Sequence, residues 1–174
     1  MFQGCTSLTE APQIYATTLA DSCYKKMFQN CTSLEDFVSL STMVLAASCY
    51  AYMFSGCSSL KSHKEVDDLG YNNRFKYLLQ ATTLKESCYE GMFQGCTSLT
   101  QSPLLSAAIL AKSCYAYMFE DCTSLIEVPV LPATTLKESC YEGMFQGCIS
   151  LKTVGSIEAT ELADSCYANM FNGC

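Results

Sequence analysis

Thiols are the reactive groups this chain holds in greatest number, and their spacing limits what they can do. The 13 cysteines fall at positions 5, 23, 31, 49, 57, 88, 96, 114, 122, 140, 148, 166 and 174. Six pairs are eight positions apart, from Cys23/Cys31 to Cys166/Cys174. Zinc would need short C-x-x-C pairs converging on one point, and there are none. A catalytic thiol would need a base, and the single histidine, His63, lies outside the pattern. A disulfide needs Cα atoms within about 7 Å. Two cysteines eight apart on a helix would stand about 12 Å apart, so a bridge inside one unit would require the helix to break early. The spacing favours reduced, buried thiols acting as small hydrophobes. No Ser/His/Asp or Cys/His set converges and no glycine-rich phosphate loop is present, so nothing points to an enzyme and no cofactor or metal is expected. Glu90 and Glu142 sit beside glycines and read as solvated.

The elements that carry these cysteines are copies of one unit. The text C-Y-x-x-M-F-x-x-C occurs six times, with Tyr24, Tyr50, Tyr89, Tyr115, Tyr141 and Tyr167 in one column and Phe28, Phe54, Phe93, Phe119, Phe145 and Phe171 in another. The second cysteine recurs every 26 residues, apart from one step of 39 between Cys57 and Cys96. It is followed by x-S-L, which places Leu8, Leu34, Leu60, Leu99, Leu125 and Leu151 in register; Leu19, Leu45, Leu84, Leu110, Leu136 and Leu162 form another column.

The stretch Leu125-Ile126-Glu127-Val128-Pro129-Val130 is rich in β-branched residues and reads as a strand, brief because Pro129 has no N–H to give. Thr83-Leu84-Lys85-Glu86 and Thr135-Leu136-Lys137-Glu138 match capping boxes. Leu84, Cys88, Tyr89, Met92 and Phe93 then share one face at helical spacing. Gly4, Asn30, Gly56, Gly95, Asp121, Gly147 and Gly173 form a column tolerant of positive φ, as the end of a helix requires. The expected fold is an α/β repeat solenoid, with one short parallel strand and one short helix per repeat, in which each unit buries its apolar face only against its neighbours.

The run Phe119-Glu120-Asp121-Cys122-Thr123-Ser124-Leu125 and its counterparts resemble the BspA-like, or Treponema-type, leucine-rich repeats, here in a 26-residue variant. The resemblance covers nearly all of the chain outside 61–78. It implies a leucine-rich-repeat solenoid, a secreted or cell-surface location, and a role in adhesion through recognition of host or neighbouring-cell proteins. The expected organisation is a single array over 1–174 with an irregular insertion at about 61–78. Because Met1-Phe2-Gln3-Gly4-Cys5 repeats Met92-Phe93-Gln94-Gly95-Cys96 letter for letter, the array reads as a piece of a longer one. Open core columns at both ends would favour end-to-end self-association.

Net charge is −7 with a single arginine, which lacks the basic footprint of a nucleic-acid binder. No run of about 18 apolar residues could cross a bilayer. Composition is 49% hydrophobic, enough for a continuous core. Function is therefore sought on the variable positions. On the strand side these are Thr9, Glu10, Gln13, Glu35, Asp36, Ser39, Thr100, Gln101, Ile126, Glu127, Lys152 and Thr153. Glu10, Asp36, Gln101, Glu127 and Lys152 are the leading contact candidates. The insertion adds Tyr71, Arg74, Phe75 and Tyr77. Asp67 and Asp68 lack the alternating ligands of a calcium loop. The reading is a protein-binding module; the alternative is a structural spacer within a larger surface protein.

Overall fold

A computed structural model of the chain describes residues 1–38, 40, 42–61 and 78–174. The repeat stacks as expected, but the curved segment of each unit is not a helix. Among the described residues no helix is present, and the ten residues 47–56 and their equivalents are a run of turns.

The backbone shows why. Positive φ recurs every fourth residue: Ser22 at 58°, Lys26 at 59° and Asn30 at 61° in one unit, and Ser139, Gly143 and Gly147 at 51°, 56° and 72° in another. A right-handed helix needs negative φ throughout. The N–H groups alternate in role. Those of Cys23, Lys25, Met27, Gln29 and Cys31 close local turns onto the carbonyl three residues back, for example Lys25 to Ser22 at 3.1 Å. Those of Ser22, Tyr24, Lys26, Phe28 and Asn30 point sideways and donate to the next unit, for example Tyr24 to the Cys49 carbonyl at 3.0 Å. Half of the arc's donors thus serve the turn and half serve the stack, so few are orphaned. The column read as helix-capping does have positive φ, at 56–77° from Gly4 to Gly173, but it is the last of three such columns on the arc.

Side chains pack in matching columns. Phe28, Phe54, Phe93, Phe119 and Phe145 are wholly buried. Neighbouring phenylalanine rings lie 5.5–5.9 Å apart and within 4–9° of parallel. The tyrosine rings stack likewise, Tyr115 on Tyr141 at 5.9 Å and 4°. Burial comes from the neighbour. Val128, Leu131 and Leu136 are buried, whereas Val154, Ile157 and Leu162, their equivalents one unit on, are 57%, 41% and 67% exposed.

The strand side is thinner than expected. Only β1 (Glu127–Val128) and β2 (Thr153–Val154) form, as a parallel pair with Glu127 opposite Thr153. Among the other described residues the pairing reduces to isolated parallel bridges, Thr83 with Ile109, Leu131 with Ile157 and Thr135 with Glu161. β1 stops at Val128, immediately before Pro129, and β2 stops at the equivalent Val154, although the following Gly155 N–H still donates to the Val128 carbonyl at 3.2 Å; the proline marks the end of the strand but is not what ends the pair. Thr135, read as a helix cap, instead donates its hydroxyl to Glu161 of the next unit at 3.1 Å.

Candidate binding face

Glu10, Asp36, Gln101 and Glu127 occupy one column, two residues after the recurring leucine. The preceding column holds them in line. Its N–H groups donate across units, Glu35 to Thr9 at 3.2 Å, Lys61 to Glu35 at 3.2 Å, Ile126 to Thr100 at 3.3 Å and Lys152 to Ile126 at 2.8 Å. Main-chain bonds of this kind fix direction and spacing independently of side-chain identity, so the residues on the ladder are free to vary. Glu10, Glu127 and Lys152 are exposed, and Asp36 and Gln101 are half-buried. The Asp36 carboxylate accepts the Phe37 N–H at 2.9 Å, which turns one oxygen inward. Lys61 pairs with Glu35 at 3.0 Å along the ladder, both well exposed; such pairs contribute little to stability. Ser124, Ile126, Ile149, Ser150, Leu151 and Lys152 line a shallow depression of about 450 Å³ at the end of this face. Tyr71, Arg74, Phe75, Tyr77, His63 and Ser39 lie outside the described residues.

The cysteines are spectators of this face. None is paired in a disulfide, ten of the 13 are buried, and Cys5, Cys23 and Cys174 are exposed. Each second-column thiol donates to the phenylalanine carbonyl 29 residues earlier, Cys31 to Phe2 at 3.0 Å, Cys57 to Phe28 at 3.1 Å and Cys148 to Phe119 at 3.0 Å. Across the longer step the bond persists, from Cys96 to Phe54 at 3.2 Å. Burial pushes the thiols up, Cys49 and Cys140 to about 11 and Cys57, Cys114 and Cys148 to about 12. Among the described residues no group of three His, Cys, Asp or Glu side chains could hold a metal.

Glu90 and Glu142 correct the reading that they are merely solvated. Both are half-buried. Glu90 accepts the Tyr52 hydroxyl at 2.7 Å, and Glu142 accepts the Tyr117 hydroxyl at 2.6 Å. The Tyr117 and Ser139 hydroxyls hold the Glu142 carboxyl below its ordinary range. The carboxamide of Gln94 and that of Gln146, at 3.1 Å, both donate to Glu120, extending a polar ladder along the arc. Tyr52, Tyr117, Gln94, Glu120 and Gln146 escaped the sequence reading because they lie on the segment taken for a uniform helix surface. Their signal is visible in the text, where Ala51-Tyr52 and Ala116-Tyr117 alternate with Glu90-Gly91 and Glu142-Gly143.

A family model for the BspA type leucine rich repeat region matches in six copies, over 1–70, 25–143 and 71–174, and so spans the chain. The chain belongs to the BspA-type leucine-rich repeat family. Its units are therefore leucine-rich repeats, with an arc of turns where a helix was expected. A crystal structure of a leucine-rich repeat protein from Bacteroides ovatus ATCC 8483 is similar at 16% identity, covering 97% of this chain with a TM-score of 0.28. The chain spans 66% of the length of that protein. Comparison with curated proteins gave no match. Among the described residues no helix is long and apolar enough to cross a membrane.

Proposed function

We propose that this leucine-rich repeat array is a protein-binding module that meets its partner on the strand side. The observation that carries the reading is the ladder itself. Main-chain bonds from Glu35 to Thr9 and from Lys152 to Ile126 hold a row of positions in line while their side chains differ from unit to unit. Glu10, Asp36, Gln101 and Glu127 make that row mainly acidic, so a partner surface with a basic patch fits it, and opposite charge speeds encounter. Adhesion at a cell surface, to a host or neighbouring-cell protein, is the setting that suits such a module.

A second reading, a spacer between other domains, draws on the continuous phenylalanine and tyrosine columns, which give the stack stiffness without a ligand. The two separate in one experiment. The chain, displayed on beads, is probed with a panel of purified extracellular-matrix and cell-surface proteins. The same panel is probed with Glu10→Lys/Glu127→Lys and with a control altered on the arc, Gln3→Lys. Binding lost in the first variant and kept in the second is expected. Binding lost only in the arc variant would overturn the assignment of the face. No binding to any member would leave the spacer as the better account.

A further inference from the structure

The repeats are not interchangeable on the arc, and two tyrosines show why. Tyr52 and Tyr117 stand at the middle positive-φ position, each at 55°. Each ring lies over a glycine of the following unit. A Cβ on Gly91 would meet Tyr52 Cε1 at 2.2 Å, and one on Gly143 would meet Tyr117 Cδ1 at 2.5 Å. Each hydroxyl passes over the glycine to the glutamate beside it, at 2.7 Å to Glu90 and 2.6 Å to Glu142. The backbone adds a third contact, from the Tyr52 N–H to the Glu90 carbonyl at 2.7 Å and from the Tyr117 N–H to the Glu142 carbonyl at 2.8 Å.

We propose that an Ala-Tyr unit is a plug and a Glu-Gly unit its socket, so that these dipeptides specify which leucine-rich repeat stacks next and in which direction. Both halves are required. The glycine leaves the space for the ring and tolerates the positive φ of its own backbone. The glutamate gives the hydroxyl a charged acceptor, the stronger kind of hydrogen bond. Phenylalanine, tyrosine, methionine and cysteine recur unchanged in the core columns and cannot distinguish one unit from another. The plug and socket are features by which a core of identical columns resists slipping by one whole repeat, a form of discrimination against wrong pairings. The same logic recurs two turns along the arc, where Asn30 reaches over Gly56 and Asp121 over Gly147, each oxygen 2.2 Å from where a Cβ would stand.

The test uses the full chain and two designs. The first exchanges the dipeptides without changing composition: Ala116→Glu, Tyr117→Gly, Glu142→Ala and Gly143→Tyr together. Order-specific pairing lowers the thermal midpoint by about 2–4 °C or more. An unchanged midpoint overturns the proposal. The second places asparagine, which this column carries at Asn169 with φ 55°, into the socket. Gly143→Asn is expected to lower the midpoint in the natural background and to leave it nearly unchanged when Tyr117 is already Gly, the residue this column carries at Gly91. Equal losses in both backgrounds would show that the glycine serves only its own backbone, and the ordering role would fall. Circular dichroism on every variant checks that the stack is retained.

Discussion

The thiol of Cys122 donates to the carbonyl oxygen of Phe93, 3.1 Å away in the preceding repeat. That carbonyl also accepts the N–H of its own Cys96 at 3.0 Å. Each second-column cysteine from Cys31 onward therefore ties its unit to the one before it, and it does so only while its sulfur carries a proton. The bond gives the column a role in stacking that a methyl group could not fill.

Thiol labelling follows from the burial. With a small alkylating reagent under native conditions, Cys5, Cys23 and Cys174 react quickly, and the ten buried cysteines react only as the stack opens. Mass spectrometry counts the labels over time. Rapid modification of Cys96 or Cys122 in the folded chain would contradict the packing, as would disulfides found under non-reducing denaturation.

Stability should fall in alkali. Burial raises Cys57, Cys114 and Cys148 to about 12, above the ordinary thiol value of about 8.5. Below about pH 8.5 folded and unfolded chains both hold these protons, and the thiol contribution is fully present. Above it the unfolded chain releases protons that the folded chain keeps, so stability declines as pH rises toward the folded values. Each such thiol contributes at most about 1.4 kcal/mol per pH unit in that window. Urea midpoints level between pH 6 and 8 and dropping between pH 9 and 11 are expected. A flat profile to pH 11 would show that the thiols are solvated.

Truncating the phenylalanine column tests the stack directly. Phe93 is wholly buried, with Phe54 5.9 Å away on one side and Phe119 5.6 Å away on the other. Phe93→Ala is expected to cost about 3–5 kcal/mol in a denaturant melt. A loss below about 1 kcal/mol would mean that neighbouring repeats close over the gap.

Two tyrosines of one column should respond oppositely to loss of the hydroxyl. The Thr42 hydroxyl lies beside Tyr50 and partly offsets the rise that burial gives its phenol. The Tyr141 hydroxyl is buried without a hydrogen-bond partner. At the position equivalent to Thr42 the later repeats carry Ala133 and Ala159. Tyr50→Phe is expected to cost about 1 kcal/mol, whereas Tyr141→Phe is neutral or stabilising, because it removes a buried polar group rather than a bond. Equal losses for the two variants would count against this.

The step of 39 residues should be dispensable for stacking. Phe54 and Phe93 flank it, yet their rings lie within 4° of parallel and the Phe54 N–H reaches the Met92 carbonyl at 3.0 Å, as in every other step. Removing residues 62–74 restores the 26-residue spacing and brings Lys76 to the position of Phe37 and Val128; combined with Lys76→Val, it is expected to leave the melting midpoint unchanged or slightly raised, since a shorter loop closes at less entropic cost. Loss of cooperative melting would show that the segment takes part in the stack.

The repeat, its columns and the buried thiols were legible in the sequence because stacking places identical residues against one another. Phe28, Phe54 and Phe93 had to recur in register before they could form one core. The strand end at Pro129 was legible too, although β2 ends at the equivalent Val154 with no proline beside it. Conformation on the arc was not. Inward pairs such as Cys49-Tyr50 and Met53-Phe54 repeat every four residues, and over ten residues a period of four cannot be told from 3.6. The tertiary structure decided the matter through hydrogen bonds that no single repeat contains. Sideways donation from Lys26 to Ala51 and from Tyr52 to Glu90 needs every second N–H to leave the local spiral. Positive φ at Ser22, Lys26 and Asn30 is what turns those groups outward. The last of the three columns carries only glycine, asparagine and aspartate, which advertise such a conformation; the middle one mixes Gly91, Gly143 and Asn169 with Lys26, Tyr52 and Tyr117, and the first is serine in every unit from Ser22 to Ser165. The sequence determined that the units stack; contact with the next unit decided the shape each one takes.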